Sequence, residues 1–362
     1  MIRFIFFGRT THDKWIDIIL DTFLALYKKW IWGRTLDIYG GGSSSNQCDL
    51  AHDICNDIVF HGWTTQEIIH EKLQSMDYCL MPSRVIETFG KSALEAMKYG
   101  VPVIGFQKWW LAQFIGDDLS LQENHAAQSL YDIVLSLCSS QIKPDRLSIQ
   151  KWTLLYTIDH RKEKVSHLLG KKERILHISD FVSKIGGIEL FLHESKLVLE
   201  NAWHTVSLWW STRKVSFIWL LYTLWNFPAR WRLRKEIDTQ RPTTIWFHSV
   251  LRYLGRIVLY WLPTTTTKIC MIHDLWYFHP YPSRVYSIDD ISEFSLRSFM
   301  KHGKWIVQKL LIALKYCSLR LIRRKLKKTI DIWLVPSPFL VDILHYSWWI
   351  PKEKIAVLPH FA

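Results

Sequence analysis

The chain has 362 residues, 49% hydrophobic and 22% charged. That composition excludes a disordered or fibrous chain and is enough for two ordinary domains. The net charge of +13 is uneven: residues 1–169 hold 17 Lys+Arg against 19 Asp+Glu, net −2, while residues 170–362 hold 29 against 14, net +15. A basic second half implies an acidic partner, whether anionic membrane, phosphorylated acceptor or nucleic acid. No recognised nucleic-acid module is present, so that last class is set aside. The best apolar run, Val215 to Leu224, is too short to span a bilayer. Arg3 inside the first strand-like run argues against a signal peptide. Six cysteines are scattered along the chain, and Cys48, His52 and Cys55 read as incidental neighbours rather than a metal site. A reduced, cytoplasmic compartment fits.

In chain order, Met1 to Phe7 predicts an apolar strand running into Gly8-Arg9, then Lys14-Trp15 and a helix over Ile16 to Lys28. Leu36 to Gly42 and Ile58 to Gly62 predict two more strands, with a helix over Thr65 to Met76. Tyr78 to Met81 predicts a short buried strand, Ser92 to Lys98 a helix stopped by Gly100, and Val101 to Ile104 a further strand. Helices follow over Gln128 to Cys138 and Trp152 to Leu169. The alternation predicts an α/β fold with a parallel, doubly wound sheet in residues 1–169. After the charged joint Gly170 to Glu173 a second domain opens, residues 174–362. Its expected strands are Arg174 to Ser179, His204 to Leu208, Thr244 to His248, Lys268 to His273, Asp331 to Pro336 and Lys354 to Pro359. Gly186 and Gly187 form a Gly-rich turn into a helix over Leu190 to Glu200, and Pro338 to Tyr346 predicts another helix. Lys301 to Lys328 holds ten Lys+Arg and no Asp or Glu. It reads either as a basic amphipathic helix on anionic lipid or as a core-facing helix with a solvated basic face.

Chemistry concentrates in Pro82 to Gly105. Glu87 precedes Phe89-Gly90-Lys91-Ser92, and Glu95 lies inside the helix that follows. A strand end, a glycine turn and a helix N-terminus leave backbone N–H groups free to face an anion. Carboxylates repel phosphate but accept hydrogen bonds well from hydroxyl groups, so the natural ligand is a phosphorylated sugar. A capped helix with a solvated Glu would give the same spacing.

This stretch resembles the donor-site signature of the group 1 (family 4) GT-B glycosyltransferases: two Glu flanking Phe-Gly, then a Gly-x-Pro-Val-Ile strand. The opening strand, Gly8-Arg9 and Lys14 resemble the start of that family's donor domain. Residues 174–362 resemble its acceptor domain, with Gly186-Gly187 and His273 at matching places. The resemblance implies two Rossmann-like domains of the GT-B type in swapped sequence order, donor domain first. It implies sugar transfer from a nucleoside-diphosphate sugar to a glycan or lipid-linked acceptor, with retention and without metal or other cofactor. Expected catalytic residues are Glu87, which contacts the sugar, and His273. Expected donor-binding residues are Arg9 and Lys14 on the diphosphate, Phe89, Gly90, Lys91 and Ser92, Glu95 on the ribose, and Gly186 and Gly187. An anionic membrane surface is a further expected partner, with the chain peripheral on the inner face. The rival reading is a non-catalytic chain that binds nucleotide or an anionic surface only.

Two features depart from the family. The reversed order of the halves fits a circular permutant, a junction of two adjacent transferases or a piece of a longer reading frame, the last two favoured. Second, there are 20 Trp and only 15 Gly. Trp15, Trp109-Trp110, Trp203 and Trp348-Trp349 stand where the family carries glycine, and an indole cannot replace a residue chosen for positive φ or close backbone approach. These positions are expected to be UGA codons that the source cell reads as glycine.

Overall fold

The computed structural model describes the chain except residues 109–110, 170–171, 181–186, 211–226, 249, 251–258, 261, 274, 279–290, 292–294, 297–299, 301–304 and 361–362. It forms two compact units, Met1–Thr157 and Ile158–His360.

The first unit is a parallel five-stranded sheet in the order β3-β2-β1-β4-β5. Its strands are β1 (Ile2–Phe7), β2 (Arg34–Tyr39), β3 (Ile58–Gly62), β4 (Tyr78–Met81) and β5 (Val103–Gly105). Successive side chains of a strand point to opposite faces, so β1 feeds two cores. Phe4 and Phe6 pack with helix α1 (Ile16–Lys28), and Ile5 packs on the other side with Cys79 and Ala93. Burial on both faces explains why IRFIFF and YCLM read as unbroken apolar runs.

The differences from expectation have local causes. Helix α2 (Ser45–Ile54) escapes the sequence reading because only Cys48 and Ala51 are buried on an otherwise polar surface. Cys48 and Cys55 both pack in the core. Helix α3 spans Gln66–Leu73. Strand β5 starts at Val103 rather than Val101, because Pro102 has no N–H to give to the ladder. The helix expected over Trp152 to Leu169 is two helices. After α4 (Lys91–Lys98) and α5 (Ala126–Ser140), α6 covers Arg146–Thr153 and α7 covers Ile158–Leu169.

Helix α7 also corrects the domain boundary. It packs within the second unit, against α8 (Gly187–Asn201). Arg161 of α7 is 4% exposed, stacks 3.9 Å from the Phe191 ring centroid and donates to Ser195 Oγ at 2.6 Å. The division therefore falls at Thr157/Ile158 and not in the charged joint 170–173.

The second unit is a parallel six-stranded sheet in the order β11-β10-β9-β8-β6-β7. Its strands are β6 (Arg174–Ser179), β7 (Thr205–Trp210), β8 (Thr244–Phe247), β9 (Thr267–Met271), β10 (Ile332–Val335) and β11 (Ile355–Val357). Its further helices include α9 (Phe227–Gln240), α10 (Ile306–Thr329) and α11 (Pro338–Trp348). Both sheets are thus of the Rossmann-like α/β kind. The basic helix α10 turns Ile312, Leu319, Ile322 and Leu326 inward, all buried, and leaves Arg320, Arg324, Lys327 and Lys328 exposed. Arg323 stacks over Trp348 at 4.8 Å. Part of its apolar stripe is taken up by the unit's own packing, while Leu314 and Leu321 stay 42% and 38% exposed beside the basic face. Among the described residues no helix is long and apolar enough to cross a membrane.

Candidate functional site

In the first unit the strand order reverses between β1 and β4. Open parallel sheets bind ligands outside the carboxyl ends of their strands at such a switch point. Two loops emerge there, one after β1 carrying Arg9 to Lys14 and one after β4 carrying Arg84 to Gly90. They are tied together. The Arg84 backbone N–H donates to Asp13 O at 2.9 Å. Its guanidinium forks onto Asp17 at 2.9 and 3.0 Å and reaches the His12 carbonyl. Lys14 Nζ meets the Glu87 carboxylate, the two side chains only 18% and 14% exposed. Arg9 pairs with Asp13 at 3.1 Å and stays 57% exposed. Arg84 also stacks on the Trp15 ring at 4.5 Å.

The turn into α4 is set by Gly90, the N-cap, at φ 65°. A Cβ there would meet Leu111 Cδ2 at 2.9 Å, the movable end of a side chain, so it is chiefly the left-handed conformation that disfavours other residues. The helix begins at Lys91, with Gly90 rather than Ser92 at the N-cap. Gly90→Ala is expected to destabilise the first unit by about 1–2 kcal/mol, read as a lower denaturant midpoint with an unchanged slope.

Glu95 is 7% exposed. Gln66 at the start of α3 donates to its Oε1 at 2.6 Å, and Lys91 Nζ lies 3.7 Å away. Burial pushes the carboxyl up, against the pull of Lys91 and Gln66. The Phe89 side chain is 3% exposed and packs in the core with Ala93 and Leu111, which leaves its backbone to face a ligand. A cavity of about 750 Å³, bordered by Tyr78, Phe114, Asp132 and Ile149, includes none of the candidate residues.

In the second unit Gly186 lies outside the described residues, as do Trp109 and Trp110 in the first. Gly187 is the first residue of α8. His273 follows β9, and it is buried rather than open, 5% exposed. It ends a chain of imidazoles drawn from three neighbouring strands. His177 Nδ1 lies 2.7 Å from His248 Nε2, and His248 Nδ1 lies 2.9 Å from His273 Nε2. Phe191 packs edge-on against His273 at 4.8 Å, and the His360 ring lies 5.3 Å away. Burial first, then the Arg161 charge, holds His177 and His273 down to about 3. Burial and the other three imidazoles push His248 well below its ordinary value. All three are neutral at pH 7.

The structure thus joins Lys14 to Glu87, keeps Arg9 and Lys91 nearby in the chain, and sets Glu95 inward on α4. Sequence reading misses Arg84, Asp17, Gln66, His177 and His248. The one available signal was that His248 and His273 each stand just past a buried strand.

Residues 2–140 match the family model of the group 1 glycosyl transferases. A curated relative, an uncharacterized 41.2 kDa protein in the cps region of Klebsiella pneumoniae, is 32% identical over 125 residues. The match takes in 33% of this chain and 31% of the relative, so the chain spans about a third of that relative's length. Among solved structures, the apo lipopolysaccharide outer core galactosyltransferase WaaB aligns with 22% identity and a TM-score of 0.36, over 41% of this chain and 43% of that one. The catalytic domain of cholesterol-alpha-glucosyltransferase from Helicobacter pylori aligns with 18% identity and a TM-score of 0.37, over 43% and 99%. The pneumococcal O-GlcNAc transferase GtfA aligns with 20% identity and a TM-score of 0.39, over 47% and 36%.

Proposed function

We propose that the chain is a retaining glycosyltransferase that moves a sugar from a nucleoside-diphosphate sugar to a glycan or lipid-linked acceptor. The observation that carries this reading is the Lys14–Glu87 pair at the switch point of a sheet whose residues 2–140 match the group 1 family. A diphosphate entering between the β1 and β4 loops competes with Glu87 for Lys14. Lys14 then serves the phosphate oxygens as a point charge, and Arg9 adds a planar fork. The N–H groups opening α4 face the same anion. Released from Lys14, Glu87 accepts hydrogen bonds from the sugar hydroxyls. As the bond from the sugar carbon to the diphosphate breaks, negative charge grows on the leaving oxygen, and both cations stabilise it. Retention follows if the acceptor oxygen attacks from the face the diphosphate leaves.

Glu95, steadied by Gln66, keeps an oxygen for the ribose hydroxyls. The second unit is the expected acceptor-binding one, in the reverse of the family's domain order. The basic face of α10 suits a phosphorylated lipid acceptor or the anionic inner face of the membrane. The scheme requires no metal or other cofactor, and it places the chain in the cytoplasm.

Calorimetric titration with UDP, GDP and dTDP tests the reading. At least one is expected to bind, and Lys14→Ala is expected to weaken it about 10- to 100-fold, the worth of one charge-assisted hydrogen bond of roughly 1.5–3 kcal/mol. Failure of all three to bind refutes the reading. Binding without sugar transfer to any glycolipid supports the non-catalytic rival.

A further inference from the structure

Among the described residues, six other than glycine have positive φ, and four of them are tryptophan: Trp15 at 54°, Trp30 at 57°, Trp203 at 67° and Trp349 at 56°. In that region Cβ crowds the following carbonyl, and a bulky side chain there is a genuine outlier. Chance does not gather one of the rarest residue types at such positions.

The hydrogen bonds show what two of these positions are. Helix α1 ends with Trp30 N–H donating to Tyr27 O at 2.9 Å and Ile31 N–H to Leu26 O at 3.1 Å. Helix α8 ends with Trp203 N–H donating to Glu200 O at 3.0 Å and His204 N–H to Leu199 O at 3.1 Å. This pair of bonds is the Schellman ending, whose left-handed residue is usually glycine. The first unit carries the same ending with glycine in place: after α4, Gly100 at φ 72° donates to Met97 O at 2.8 Å, and Val101 N–H to Ala96 O at 3.1 Å. Trp349 is the left-handed cap of α11, just before Ile350-Pro351. Trp15 is the left-handed joint between the Lys14 turn and α1.

The side chains of three of the four agree; Trp15 is half-buried, its ring edge-on to Phe106 at 5.0 Å, and stands on its backbone alone. The indoles of Trp30, Trp203 and Trp349 are 75%, 82% and 82% exposed, so burial offsets none of the strain. Trp246, Trp333 and, against the expectation from the sequence, Trp348 are different: each is 1% exposed, none has positive φ, and their rings pack in the core. The chain's 15 glycines fall short of the about 25 that ordinary usage of roughly 7% would give.

We propose that Trp15, Trp30, Trp203 and Trp349 are glycine in the protein as its own cell makes it, their codons being UGA read there as glycine. UGA differs from the tryptophan codon UGG only in its third base, and from the glycine codon GGA only in its first. The backbone sets two groups apart among the described tryptophans: the left-handed ones, which stand for glycine, and the fully buried Trp246, Trp333 and Trp348, which are genuine.

The gene and the native protein test this together. The expected result is UGA at the four left-handed positions, UGG at Trp246, Trp333 and Trp348, and glycine masses at the four positions in peptides from the native cell. UGG at the four codons, or tryptophan masses there, would overturn the proposal. UGA at all three buried positions as well would overturn the sorting by backbone. A second measurement stands apart from the gene. The full chain carrying W30G, W203G and W349G is expected to melt on the order of 5–10 °C higher than the chain as written. An equal or lower melting temperature contradicts it.

Discussion

Glu87→Gln is expected to lower kcat/KM for sugar transfer by about 100-fold while leaving the melting temperature within a few degrees. Glutamine keeps the shape of the side chain but removes the charge. The Lys14 cation, 18% exposed, then loses its carboxylate partner. In the free protein that loss is modest, because the pair is still partly wet. In the complex Lys14 regains an anion from the diphosphate, so binding of the nucleoside diphosphate is expected to hold or tighten. The deficit appears in the step that needs a carboxylate facing the sugar, where a charge-assisted hydrogen bond of roughly 1.5–3 kcal/mol disappears. The decisive comparison sets kcat/KM against diphosphate affinity in the same variant. Parallel losses in both would show that Glu87 merely holds Lys14 in place and does not serve the sugar.

Acid is expected to unfold the second unit early. His177, His248 and His273 are neutral in the fold and resist protonation, His177 and His273 down to about 3. In the unfolded chain an imidazole takes its proton near 6.5. As the pH drops below that value the unfolded state binds protons that the folded state refuses. Stability therefore falls with falling pH, by up to about 1.4 kcal/mol per pH unit for each imidazole and about 4 for three together. The window runs from about 6.5 towards 3. Fluorescence of the buried Trp246 and Trp333, followed through denaturant unfolding at pH 7.5 and 5.5, gives the result: a clearly lower midpoint at pH 5.5. A midpoint that does not move would mean that water or a counter-charge reaches the imidazoles.

Most strands and the longer helices of the first unit were legible because a doubly wound sheet writes itself as apolar runs separated by amphipathic helices. Glu87, Lys14 and Gly90 were legible because their spacing is fixed along the chain by one turn each. Arg84 was not, because its four hydrogen bonds to the β1 loop and the start of α1 join residues that are 67 to 72 positions apart in sequence. Gln66 was hidden for the same reason, as its partner Glu95 lies 29 residues on. The domain boundary was misplaced because α7 follows the first unit in sequence but packs with the second through Arg161, a buried cation that no periodicity reveals. The burial of the Phe89 side chain was not legible, because a motif position says that a residue is needed, not whether its side chain or its backbone does the task.

The three linked imidazoles have one more consequence. Each contact joins Nδ1 of one ring to Nε2 of the next, so each neutral ring has a single proton to place and the placements are not independent. If His177 donates from Nδ1, His248 must donate from its own Nδ1, and His273 carries its proton on Nδ1 too. The opposite choice moves all three protons to Nε2. One arrangement puts the terminal N–H on His273 Nδ1 and the other puts it on His177 Nε2, and both atoms are buried, so burial alone does not choose between them. Three strands thus share one binary variable, and the proton position on His273 is written at His177, two rings away.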